Sequence, residues 1–202
     1  LERVDHVPAV IRPTAAVAFL LMAAGCGPQE IGAASGELML TRLPIPLPQT
    51  VATTQDLTTP DQVAAATPAD PTAVSRMLAA SSFKHARARV WTQDAAHYVT
   101  VIVVEFSRAS DAATLVQVEV HEMSQGSNTF VTPHAELSGS SVFVIHGSTR
   151  QGEQAVICEG VWAPVHRFAI ETLTCSSTGA WATQAEQLAL QESELVKKVP
   201  TP

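Results

Sequence analysis

The run Tyr98-Val99-Thr100-Val101-Ile102-Val103-Val104-Glu105-Phe106 constrains the fold more than any other part of the chain. It is rich in β-branched and aromatic residues and apolar at both odd and even positions, so a strand here buries both of its faces. Such a strand belongs in the middle of a sheet, with material packed above and below it.

Its neighbours can be read from their periodicity. Ala73 to Ala80 suits a short helix entered after Pro71 and closed by Phe83. Ala86, Ala88 and Val90 alternate with Arg87, Arg89 and Trp91 as in an amphipathic strand, and Gln93-Asp94-Ala95-Ala96 supplies a turn. Residues 107–125 fit two patterns. Ser107 and Ser110 are candidate N-caps, and Ala112, Leu115, Val116, Val120 and Met123 share a helical face. Val116, Val118 and Val120 also alternate with polar residues as in a strand; length and caps favour the helix.

After a turn at Gly126-Ser127-Asn128 come strands at Val142–His146, Gln154–Trp162 and Arg167–Leu173, the last two paired antiparallel about Ala163-Pro164. Trp181, Ala185, Leu188 and Leu195 mark a final helix whose C-terminal Lys197-Lys198 suit the helix dipole. The expected fold is an α+β domain over residues 73–198, an antiparallel sheet packed with helices in the order α-β-β-α-β-β-β-α.

The first 25 residues read as a signal peptide. Arg3 and Arg12 precede the apolar run Ala15 to Cys26, which spans only about 18 Å as a helix. A hydrocarbon core of about 30 Å needs roughly twenty residues, so the run suits export better than a membrane span. Ala23-Ala24-Gly25-Cys26 resembles the lipobox of bacterial lipoproteins, with Ala23 where leucine is usual. The resemblance implies cleavage before Cys26, acylation of its sulfur, and a membrane-anchored place in the cell envelope outside the cytoplasm.

Residues 26–72 then read as the lipidated cysteine and a Pro/Thr-rich linker. Thr41 to Thr72 holds six prolines and eight threonines with no sustained apolar period. Leu43-Pro44-Ile45-Pro46-Leu47-Pro48 should be extended, and a flexible chain of this length reaches roughly 35–40 Å.

Phe83, Trp91, the Tyr98–Ser107 run, Asp111-Ala112 and Cys158 together resemble secreted lipoproteins of actinobacteria, some with a head similar to the PsbP-like α/β/α sandwich. The resemblance covers residues 73–198 and implies a fold and an envelope setting, with no catalytic residues to carry over.

Charge and motifs exclude several functions. The net charge is −7, and the tightest basic group is Lys84, Arg87 and Arg89, too few to track phosphates. Nucleic acid is not an expected partner, and anionic headgroups would not hold the domain electrostatically. With Cys26 acylated, Cys158 and Cys175 are left as an even pair in an oxidising compartment, and a disulfide is expected, with free buried thiols as the alternative. Pairing about Ala163-Pro164 sets Cys158 opposite about Ile170, so a bulge or sheet curvature must bring it to Cys175.

His85, His97, His121, His134, His146 and His166 lack the spacing of a zinc site, and neither a metal nor a cofactor is expected. No phosphate-cradling glycine loop is present, and Ser138-Gly139-Ser140-Ser141 is not a nucleophile elbow. The preferred function is a non-enzymatic envelope lipoprotein whose head binds an envelope protein, a lipid or another small molecule in a groove between helix and sheet. Two alternatives remain: an extracytoplasmic hydrolase whose Ser, His and Asp assemble from distant residues, and an inert accessory subunit.

Overall fold

The structure, a computed structural model, describes residues 51–126, 128–134, 136–148, 155–178 and 184–199. The expected signal peptide, Cys26, the first half of the linker and Trp181 lie outside these residues.

The expected α+β class holds, with seven strands among the described residues. They are β1 (Val51–Leu57), β2 (Phe83–Thr92), β3 (Tyr98–Phe106), β4 (Thr129–Pro133), β5 (Ser141–Ser148), β6 (Ala155–Val165) and β7 (Phe168–Ser176). The helices are α1 (Pro60–Ala66), α2 (Pro71–Ala80), α3 (Ala109–Ser124) and α4 (Gln184–Val196). All strands join one sheet in the order β1-β2-β3-β7-β6-β5-β4, with every neighbouring pair antiparallel. The last strand in sequence is therefore the central one, and every residue of β7 is buried.

The alternation of β3 separates two cores. Ile102 and Val104 join Ala169 and Leu173 of β7 beneath Val74 and Leu78 of α2 and Leu115 and Val116 of α3. Val99, Val101 and Val103 point the other way, into a core with Ile170 and with Ala185, Leu188 and Ala189 of α4. Helices thus cover both sides of the sheet, which explains why β3 is apolar on both faces.

Residues 51–72, which the sequence assigns to the linker, are folded into β1, α1 and the start of α2. Two of the six linker prolines, Pro60 and Pro71, occupy the first turns of helices, where a missing N–H costs nothing. Thr59 and Gln62 form a capping box on α1, and the Asp70 carboxylate accepts the N–H groups of Thr72 and Ala73 on α2. β1 is polar because it is an outer strand and mostly exposed; Leu57, Val63 and Ala64 anchor the segment in the core.

Three local expectations also change. Phe83 opens β2 instead of closing the preceding helix, which ends at Ala80 with Ser81 as its C-cap. Residues 109–124 are helical, and the N-cap is Arg108, not Ser107 or Ser110. Ser82 does the capping from outside the helix: its Oγ accepts the N–H groups of Ser107 and Arg108 and donates to Asp111. The β6–β7 turn lies at His166-Arg167, with His166 at φ 52°, not at Ala163-Pro164. Pro164 is tolerated inside β6 because β5 pairs only as far as Trp162, leaving no ladder bond on that side to lose.

Candidate functional site

The main concentration of unusual chemistry lies under α3. Glu119 falls on the buried face of this helix, among Leu115, Val116 and Met123, and is 2% exposed. Glu171 projects from β7 on the same side of the sheet and is 5% exposed. Between them runs a narrow crevice, too tight to admit a water molecule, lined by Thr67, Ile102, Val104, Leu115, Ala169 and the two glutamates. Burial raises the Glu119 carboxyl well above its ordinary value, and the neighbouring Glu171 adds to the shift. Burial likewise raises Glu171, opposed by the Trp162 indole. Taking two carboxylates out of water side by side favours the protonated forms, so the pair offers O–H donors as well as acceptors.

Trp162 reaches this pair because it is the direct cross-strand partner of Glu171. Its Nε1–H lies near enough to favour the carboxylate, yet neither Nε1 nor Glu171 Oε2 completes a hydrogen bond of good geometry. Buried polar groups left unpaired are few in folded proteins and costly. The indole is held by stacking on Phe143, with centroids 3.8 Å apart and planes inclined by 24°. Phe143 lies across Gly160, its partner on β6, where a Cβ would come within 2.1 Å of the ring. Glycine here is a condition of the stack.

A second group of polar side chains sits at the rim of the sheet. In the β2–β3 turn, Asp94 Oδ1 accepts the N–H groups of Ala96 and His97 at 2.8 and 2.9 Å. The His97 ring returns to the same carboxylate, with Nδ1 2.8 Å from Oδ1 and 2.9 Å from Oδ2. His97 Nε2 is 3.1 Å from the Ser177 hydroxyl, just beyond the end of β7. Burial pushes the Asp94 carboxyl up, but the hydrogen bonds from His97 and Ala96 and the charge of His97 prevail and hold it below its ordinary value. An ionised Asp94 can only accept, so Nδ1 carries the proton and, in the neutral ring, Nε2 accepts from Ser177.

Cys158 and Cys175 are joined by a disulfide. With the turn at His166-Arg167 they are direct partners on β6 and β7, with Cα atoms 4.1 Å apart, so no bulge is needed. Tyr98, opposite Cys175 on β3, packs its hydroxyl 4.0 Å from Cys158 Sγ, and burial pushes that phenol up to about 12. The remaining histidines disperse. His85 is 3.6 Å from Glu105, which also pairs with Lys84 and Arg167. His134 lies 3.6 Å from Glu186, and His146 meets the exposed Phe130 edge-on. On the α4 side of the sheet, Glu159 is pushed up to about 7 by burial and by the charge of Glu186. Among the described residues, no three His, Cys, Asp or Glu side chains converge as a metal site, and no helix is long and apolar enough to cross a membrane.

Sequence reasoning missed both polar groups. Glu119 keeps the helical spacing of the apolar face, three residues after Val116 and four before Met123, so an acid within that stripe was a visible signal. Glu171 sits in an otherwise alternating strand and becomes conspicuous only once β7 is known to be central. No protein-family model matches the chain, and no curated protein matches it. Among solved structures, it is similar to the extracellular domain of PknH from Mycobacterium tuberculosis, at 15% identity and a TM-score of 0.51, over 75% of this chain and 84% of that one. That likeness is one of fold.

Proposed function

We propose that this chain is an exported lipoprotein, anchored outside the cytoplasm through acylated Cys26, and that its folded head is a binding module. The observation that carries the binding reading is the crevice under α3, where Glu119, Glu171 and the Trp162 N–H meet in an apolar surround with hydrogen-bonding capacity unused. A ligand with a small apolar body and one polar end would satisfy the indole donor and the protonated acid pair together. The crevice is too narrow here to admit a water molecule, so a ligand enters only as α3 lifts from the sheet. That restricts it to a short aliphatic or aromatic molecule with a carbonyl or hydroxyl end, or to the tip of a longer chain.

The fold shared with an extracellular domain supports the extracytoplasmic setting. The short apolar leader and the Ala23-Ala24-Gly25-Cys26 sequence support the anchor. The test is native mass spectrometry of the full chain purified from host membranes. The expected spectrum carries a diacylglycerol-sized mass on an N-terminal Cys26 and a small-molecule adduct that disappears in Glu171→Gln. A leader still joined to Cys26 would remove the anchor; an adduct-free head, or one whose adduct survives Glu171→Gln, would remove the binding site.

A further inference from the structure

The Asp94–His97–Ser177 chain of hydrogen bonds is separate from the crevice and has no role in the binding reading. We infer that Ser177 is an activated nucleophile and that the rim of the sheet carries a serine esterase site, with His97 as general base and Asp94 as the residue that positions it. The argument begins with the backbone. His97 immediately precedes β3 and Ser177 immediately follows β7, and these strands are paired with Tyr98 opposite Cys175. The Cys158–Cys175 disulfide ties the same end of β7 to β6. The hydroxyl and the imidazole are therefore held by two central strands of one sheet, the kind of support that keeps a catalytic constellation in register.

The direction of the bonds matches the chemistry. The carboxylate fixes the proton on Nδ1, leaving the Nε2 lone pair facing Ser177 Oγ at 3.1 Å, within the reach a general base needs. In the reaction, Oγ attacks the carbonyl carbon of a carboxylic ester while its proton passes to Nε2. The tetrahedral intermediate collapses with loss of the alcohol, which leaves with the proton from His97. Water, deprotonated by the same nitrogen, then cleaves the acyl-serine, releasing the carboxylic acid and restoring Ser177. Ester and water are converted to acid and alcohol, with no other reactant. The His97 side chain is 19% and the Asp94 side chain 51% exposed, so the acyl carbon is approached from solvent. This favours sterically open esters with good leaving groups.

A purely structural clasp between turn and strand would show the same hydrogen bonds, and the experiment separates the two. The full chain is treated with a fluorophosphonate probe, the modified residue is located by peptide mapping, and hydrolysis of p-nitrophenyl butyrate is followed. The expected result is labelling at Ser177, lost in Ser177→Ala and slowed at least about 100-fold in His97→Gln. Asp94→Asn keeps an oxygen for the turn and is expected to lower kcat at unchanged KM, with thermal stability retained. Absence of label on Ser177, labelling indifferent to His97→Gln, or labelling without ester turnover would each overturn the inference. None of these outcomes bears on the crevice, whose adduct is read separately.

Discussion

Replacing Glu171 by glutamine should change how stability depends on pH more than it changes stability itself. In the unfolded chain a glutamate titrates near about 4.3. In the fold, burial keeps Glu119 protonated well above that value and raises Glu171 to about 8. A carboxyl whose folded pKa is raised is fully stabilised below its unfolded value and loses that advantage as pH climbs toward the folded one. Each proton that the fold retains and the unfolded chain releases lowers stability by about 1.4 kcal/mol per pH unit. With both acids of the pair holding their protons, each costs the wild type about 3 kcal/mol between pH 5.5 and 7.5, a large part of a typical 5–15 kcal/mol. Glu171→Gln removes one titrating group at nearly constant shape, so its slope should be shallower by about 1.4 kcal/mol per pH unit. The double variant with Glu119→Gln should retain only the smaller slope from Glu159 across the sheet, raised to about 7. Asp94, Asp111 and Glu194 are shifted the other way and lose their contribution only as pH falls below the usual carboxylate range, outside this window. Urea unfolding at half-unit pH steps, followed by tryptophan fluorescence, measures the slopes. A wild-type curve that is flat or rises from pH 5.5 to 7.5, or a Glu171→Gln slope equal to wild type, would refute the reasoning.

Gly160→Ala should destabilise the domain by about 1–3 kcal/mol, because the new methyl group overlaps the Phe143 ring and must displace it from Trp162; near-ultraviolet circular dichroism should report the loss of the stack, and an unchanged spectrum at wild-type stability would contradict it. Removing the disulfide by Cys158→Ala with Cys175→Ala should cost on the order of 3 kcal/mol, from the loop it closes in the unfolded chain. Adding a reductant to the wild type should lower the urea midpoint by a similar step and leave the double variant unaffected.

How much of this was legible in the sequence follows from how local each signal is. β3 could be placed to the residue because eight of its nine positions are apolar or β-branched and leave no other periodicity. The helix at 109–124 prevailed over the strand reading because Ala112, Leu115, Val116 and Met123 cover one buried stripe, which a two-residue period would have split between faces. The segment 51–72 folds although its composition is dominated by Thr and Pro, because Thr59-Pro60-Asp61-Gln62 and Asp70-Pro71 are helix starts written in four and two residues. The β6–β7 turn lies three residues beyond Ala163-Pro164 because Pro164 falls where the sheet has already narrowed and breaks no ladder bond. The acid pair and the rim relay lay beyond such reasoning for a different reason. Glu119 meets Glu171, and Asp94 and His97 meet Ser177, only because β7 inserts beside β3, a pairing between distant residues that no local pattern encodes.

That insertion also sets the order in which the molecule can be completed. β1, β2 and β3 can meander together early, and β4, β5 and β6 can do so later, but each half keeps an open flank until residues 168–176 arrive between them. The flank left open on the first half belongs to the greasiest strand in the chain, an adhesive surface while it waits. A chain emerging from its N-terminus must therefore carry a sticky, half-built sheet for most of its length. Truncation anywhere before β7 would leave two orphan halves with nothing to join them, so the last strand acts as a keystone for the whole sheet.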